Sequence, residues 1–106
     1  MPGVAAADVP AEVYLLDVRE DEEWTRGHPP GAYHLPMSEL AGRLPEIPAA
    51  GDVVVACRVG ARSAQVVMYL MANGWENVRN LEGGLIAWER AGRPLVSEDG
   101  SAPQIA

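Results

Sequence analysis

A chain of 106 residues with 48% hydrophobic side chains has the size of one domain with its own core, and two domains would not fit. Fifteen acidic against eight basic residues give a net charge of −7, which argues against a general affinity for nucleic acid or an anionic membrane surface; an anionic substrate would need a local attracting field. All eight basic residues are arginines, so there is no lysine for Schiff-base chemistry or for a lysine-dependent phosphate loop.

The first residues carry no basic n-region and too short an apolar run for a signal peptide, and the longest apolar stretch, 66–72, is far below the ~20 residues that span a bilayer. The segment before Val13 leaves room for an edge strand only around Gly3-Val4. Val13-Tyr14-Leu15-Leu16 is a continuous apolar run ending in Asp17-Val18-Arg19, the pattern of a strand buried on both faces with a charged, functional end. The acidic run 20–23 opens a short crossover helix through Trp24, where it suits the macrodipole, and otherwise reads as a solvated face; 27–31 is a turn. Residues 33–35 form a short strand, and Ser38 is placed to cap a brief helix through Leu44 that Pro45 stops.

Val53-Val54-Val55-Ala56 is the most β-prone run, with Cys57 at its carboxyl end. Residues 61–72 predict a helix that is apolar nearly all round, hence a buried one, closed by Asn73-Gly74. A strand over 78–81, a turn at Glu82-Gly83-Gly84 and a helix over 85–91 ending at Gly92 complete one domain, 1–96; the polar residues 97–106 read as a flexible tail. Strands and helices alternating in this way imply an open, mostly parallel α/β sheet flanked by helices on both faces. Its ligand site would lie beyond the carboxyl ends of the strands, where Asp17 to Arg19, Cys57 and Glu82 to Gly84 gather.

The one cysteine excludes an internal disulfide and a Cys-rich zinc site, and His28 and His34 lack a ligand partner at a familiar spacing. A reducing, cytoplasmic setting without metal or other cofactor is expected. Cys57, Arg58, Val59, Gly60, Ala61, Arg62 and Ser63 join a buried strand to a helix, so their N–H groups can form an anion-holding concavity at the helix N-terminus, with Gly60 supplying the unusual backbone angles. A lone cysteine is commonly a small core hydrophobe. Two arginines and a glycine within five residues are a poor core filling but stabilise a thiolate, so Cys57 is read as an activated nucleophile.

Leu16-Asp17-Val18-Arg19, Glu23-Trp24, Gly27-His28, Pro30-Gly31-Ala32, Cys57-Arg58 with Gly60 and Arg62, and Leu81-Glu82-Gly83-Gly84 with Trp88 together resemble the rhodanese family of sulfurtransferases, over residues 13–95. The resemblance implies a five-stranded parallel sheet and a persulfide on Cys57, loaded from a small anionic donor such as thiosulfate and discharged to cyanide or a thiol. It implies that residues 58–63 bind substrate and that Asp17 and Arg19 support the loop; two apart on a strand, they also read as a plain ion pair. Arg62 is either a donor-binding charge or pinned to a carboxylate. Trp24 and His28 match the family pattern, yet a core tryptophan and a turn histidine account for them. Gly83-Gly84 is expected to let backbone pass close to the loop, and Glu82 to cap a helix or line the rim.

Related phosphatases and arsenate reductases place one more residue between cysteine and arginine than the four here, and the shorter loop suits one sulfur better than a phosphoryl group. Binding modules of this fold usually lack the cysteine. Pro29 departs from the family's branched apolar residue. With no second cysteine to resolve it, a persulfide must be taken by an outside nucleophile, for which a partner-protein thiol is a candidate.

Overall fold

The computed structural model describes residues 1–106. Five strands, β1 (Gly3–Ala5), β2 (Tyr14–Asp17), β3 (Tyr33–His34), β4 (Val53–Ala56) and β5 (Val78–Glu82), form one sheet in the order β1-β5-β4-β2-β3. Every pairing is parallel, as the apolar runs of β2 and β4 require. The edge strand at Gly3 pairs with β5, Val4 opposite Leu81.

The strand alternation divides the core in two. Leu16, Val53 and Val55 pack with Val66, Val67 and Leu70 of α2 (Ala61–Ala72). Leu15, Val54, Ala56 and Leu81 face the other way, against Leu85 and Trp88 of α3 (Gly84–Arg90). All four β4 residues are fully buried, each valine contributing about 1.5–3 kcal/mol. A central strand of this kind is a rigid post for whatever follows it. The third helix, α1 (Asp21–Arg26), crosses from β2 toward β3. No helix is long and apolar enough to cross a membrane.

Three expectations change. First, α2 is amphipathic: Ser63, Val66, Val67 and Leu70 are buried, while Met68 (58%), Tyr69 (41%) and Met71 (44%) are exposed. It covers one face of the sheet and nothing covers its outer side, so the i, i+3, i+4, i+7 stripe decides. Second, residues 38–44 form no capped α-helix but two 3-10 turns, Met37–Gly42 and Leu44–Glu46, and the Ser38 hydroxyl donates to Glu20 at 2.9 Å.

Third, residues 97–106 are no frayed tail. Glu98 N–H donates to the Thr25 carbonyl at 2.9 Å and Gln104 N–H to that of Arg26 at 3.1 Å, and Ile105 is buried against the α3 side of the sheet. His28, stacked on Trp24 at 3.4 Å, meets the Glu98 carboxylate at 2.6 Å. Gly27 is explained by this segment: a Cβ there would stand 2.3 Å from the Gln104 carbonyl oxygen, although its φ of 173° suits any residue. Gly27→Ala is expected to lift the segment away and cost about 1–3 kcal/mol. Chemical denaturation would read this, with greater proteolytic cleavage after residue 96.

Candidate active site

β4 ends at Ala56, and the next residue, Cys57, is only 1% exposed. The chain then turns through Gly60, at φ 102°, straight into α2. That left-handed turn folds the loop back over its own cysteine, so that N–H groups meet the sulfur: Gly60 N–H donates to Sγ at 3.1 Å and Ser63 N–H at 3.3 Å. The Ser63 hydroxyl stands 3.3 Å from Sγ. Burial pushes the thiol up, but the Ser63 hydroxyl and the N–H groups of Ser63, Gly60 and Arg62 outweigh it, leaving Cys57 below its ordinary value of 9.0.

The loop is clamped from behind. Leu85 N–H donates to the Cys57 carbonyl at 2.8 Å and Ile86 N–H to that of Arg58 at 3.0 Å, so the first turn of α3 is spent on the loop. Such close contact needs Gly84, as the Gly-Gly pair suggests: a Cβ there would lie 2.4 Å from the Arg58 oxygen. Glu82 neither caps α3 nor reaches the loop; its carboxylate lies against Gly3.

Arg62 is held in a bidentate pair by Glu23, at 2.7 and 2.9 Å. The Arg62 hydrogen bond holds the Glu23 carboxyl below its ordinary 4.5 against a burial effect that raises it. The pair is therefore complete above pH 4.5 and is lost as acid titrates Glu23 through its lowered value. So Glu23 is not part of a solvated face: α1 turns it inward, where it also accepts from the Glu20 N–H at 3.1 Å. Asp17 and Arg19 form a fully buried ion pair at 2.8 Å. Arg19 donates to the carbonyls of Gly27 at 2.6 Å and Glu23 at 3.4 Å, anchoring α1 and making no hydrogen bond to the loop. A chain of hydrogen bonds runs from Arg19 through Glu23 to Arg62.

Of the sequence-predicted set, Cys57, Gly60, Arg62 and Ser63 come together around the sulfur, while Arg58, Val59 and Ala61 are exposed at the rim. Arg58 has no carboxylate partner, whereas the charge of Arg62 is engaged. Sequence reasoning missed Glu23, hidden in an acidic run, and Asn80 of β5. Asn80 Oδ1 accepts from the Ser63 hydroxyl at 2.5 Å and Nδ2 donates to the Gly60 carbonyl at 3.2 Å. The two surface concavities lie elsewhere, an apolar one between Leu40 and Tyr69 and a mixed one between Pro10 and Trp88.

Residues 4–91 match the family model of the rhodanese-like domain. The chain belongs to this family. A sulfurtransferase of Allochromatium vinosum is 47% identical over 89 residues, 84% of this chain and 83% of that protein. A thiosulfate sulfurtransferase of Actinobacillus pleuropneumoniae is 31% identical over 81 residues, 76% and 75% of the two chains. Among solved structures, a rhodanese-related protein of Thermoplasma volcanium superposes with a TM-score of 0.84 at 31% identity, covering 91% of this chain and 98% of that one. The five-stranded parallel sheet is thus that of a rhodanese-like domain.

In this rhodanese-like domain, Arg62→Ala would leave the Glu23 carboxylate unpaired beside the loop. The expected result is a raised thiol pKa, read from the pH dependence of thiolate absorbance, with a stability loss of about 1 kcal/mol or less, since the pair is partly solvated. An unchanged thiol pKa would show that Arg62 acts only as a strut.

Proposed function

We propose that this chain is a sulfurtransferase that carries a sulfane sulfur on Cys57, taken from a small anionic donor such as thiosulfate and passed to cyanide or a thiol. The observation that carries this reading is the cradle: the only cysteine has its sulfur inside converging N–H groups at a helix N-terminus. The Cys57 thiolate attacks the outer sulfur of thiosulfate, the donor's S–S bond breaks, and sulfite leaves with the electron pair. The outer sulfur, now Cys57–S–S⁻, is stabilised by amides of residues 58–63. Cyanide attacks that sulfur, thiocyanate leaves, and the Cys57 thiolate is restored with no net oxidation.

Arg58 is the cation free to meet the donor's sulfonate, because Glu23 occupies Arg62. Asp17 and Arg19 support the loop through α1. With a single cysteine, discharge goes to an outside nucleophile, and a partner-protein thiol fits that role. The four residues between Cys57 and Arg62 offer fewer inward amides than a phosphoryl group with three oxygens would take up.

Intact mass of the reduced protein before and after thiosulfate, and again after cyanide, tests the reading. One added sulfur, absent from Cys57→Ser and removed by cyanide, is the expected result. No gain with thiosulfate or with any persulfide donor would overturn it.

A further inference from the structure

Asn80 sits in the middle of β5, where a strand between two neighbours would ordinarily carry an apolar residue. Both ends of its amide are on the active loop: Nδ2 donates to the Gly60 carbonyl at 3.2 Å, and Oδ1 accepts from the Ser63 hydroxyl at 2.5 Å. A carbonyl can only accept, so the Gly60 oxygen fixes which end of the amide is nitrogen. The two residues held in this way are the same two whose N–H groups reach Cys57 Sγ, at 3.1 and 3.3 Å. The Gly60 carbonyl also takes the first helical bond of α2, from Ala64 N–H at 3.1 Å, so one oxygen joins strand, loop and helix.

We propose that Asn80 is a positioning residue, which holds the Gly60 and Ser63 amides on the Cys57 sulfur and so sets the nucleophilicity of the thiol. Two effects oppose each other when it is removed. The Ser63 hydroxyl has one proton, and Asn80 Oδ1 competes with sulfur for it, so losing Asn80 returns a donor to the thiolate. Against this, two N–H groups lose their tether. Bonds to an ionised acceptor are about twice as strong as neutral ones, so two loosened amides outweigh one regained hydroxyl.

The charges around the sulfur stay in place in such a variant. Arg62 on α2 remains paired with Glu23 of α1, and Asp17 with Arg19 beyond β2. Arg58 is on the loop itself, while on β5 Arg79 pairs with Asp52 and Glu82 lies against Gly3. None of these charged side chains hydrogen-bonds Asn80, whose amide is engaged by Ser63 and Gly60, so a change in the thiol would report the amides.

The test is far-ultraviolet thiolate absorbance of the full chain against pH, with Cys57→Ser subtracted; the single cysteine makes the signal unambiguous. In Asn80→Leu the midpoint is expected to rise by about one pH unit, toward the value of a free thiol. Asn80→Ala, which adds no bulk, carries the same comparison if the leucine variant does not fold, with tryptophan near-ultraviolet dichroism as the check on folding. A strand residue that merely filled space would change the melting temperature and leave the midpoint alone. An unchanged midpoint overturns the proposal, and so does a lowered one, because the main effect of Asn80 would then be to withhold the Ser63 proton. The consequence for turnover rests on Cys57 being the sulfur carrier, but the measurement uses no sulfur donor. Failure to form a persulfide would remove the function and leave the midpoint shift, whereas an unchanged midpoint would remove the role of Asn80 and leave the persulfide.

Discussion

Cys57→Ser is expected to lower thiosulfate-to-cyanide transfer by at least about 10⁴-fold, since a lost nucleophile removes the covalent route altogether. A serine hydroxyl is too weakly acidic to ionise near neutral pH and forms no persulfide. Its oxygen can still accept from the Gly60 and Ser63 N–H groups, so the loop keeps its shape and the melting temperature changes little. In the proposed mechanism the thiolate is the attacking species, so the wild-type rate should rise with pH through the lowered thiol pKa and level off at lower pH than for an ordinary thiol of pKa 9.0. The same lowered pKa stabilises the fold: the contribution is complete above the ordinary thiol value of 9.0 and disappears as pH falls through the folded one. Thiocyanate formation and calorimetry read both arms. Transfer by the serine variant at the wild-type rate would exclude Cys57 as carrier.

The elements that were plain in the sequence are those whose residues answer one question. Val53 to Ala56 is buried on both faces, so its composition alone reports a central parallel strand. Ala61 to Ala72 is bounded by Gly60 and by Asn73-Gly74, and the punctuation gave both ends. The outer face of α2 misled because Met68 and Met71 are apolar yet point to solvent, and hydrophobicity does not tell an exposed methionine from a buried one. Residues 97–106 misled in the opposite sense. Their polar composition hides the backbone bonds to Thr25 and Arg26, which need no side-chain signature, and a single Ile105 supplies the apolar anchor.

The site divides in the same way. Cys57, Gly60, Arg62 and Ser63 lie within seven residues, where spacing encodes geometry directly. Glu23 and Asn80 act from 39 and 17 residues away from the partners they hold, and only the fold brings them there. Glu23 carried two signals, its match with Trp24 to the family pattern and its place on a helix between Arg19 and the turn; Asn80 carried one, a polar side chain interrupting the strand Val78–Glu82. Neither says what it binds until the fold sets α1 and β5 beside the loop that follows β4.

Gly84→Ala is expected to be the most damaging of the glycine substitutions, costing roughly 2–5 kcal/mol, because two penalties coincide there. At φ 64° any Cβ is strained, and this Cβ would stand 2.4 Å from the Arg58 oxygen and 2.6 Å from the Val59 nitrogen. Both atoms are backbone, so no rotamer can yield. The clash relaxes only if α3 and the loop move apart, which withdraws the Leu85 and Ile86 amides from the Cys57 and Arg58 carbonyls. Activity should therefore fall along with stability. Gly92→Ala separates the two causes, since Gly92 has a similar φ of 73° but nothing within 4 Å of its Cβ position. That variant pays only the torsional part, about 1–2 kcal/mol, and should keep full transfer in the folded fraction. Equal losses for the two alanines in urea titration would show that backbone angle alone selects Gly84. A larger loss at Gly84, joined to slower sulfur loading, would place the contact between α3 and the cysteine loop among the structures that shape the cradle.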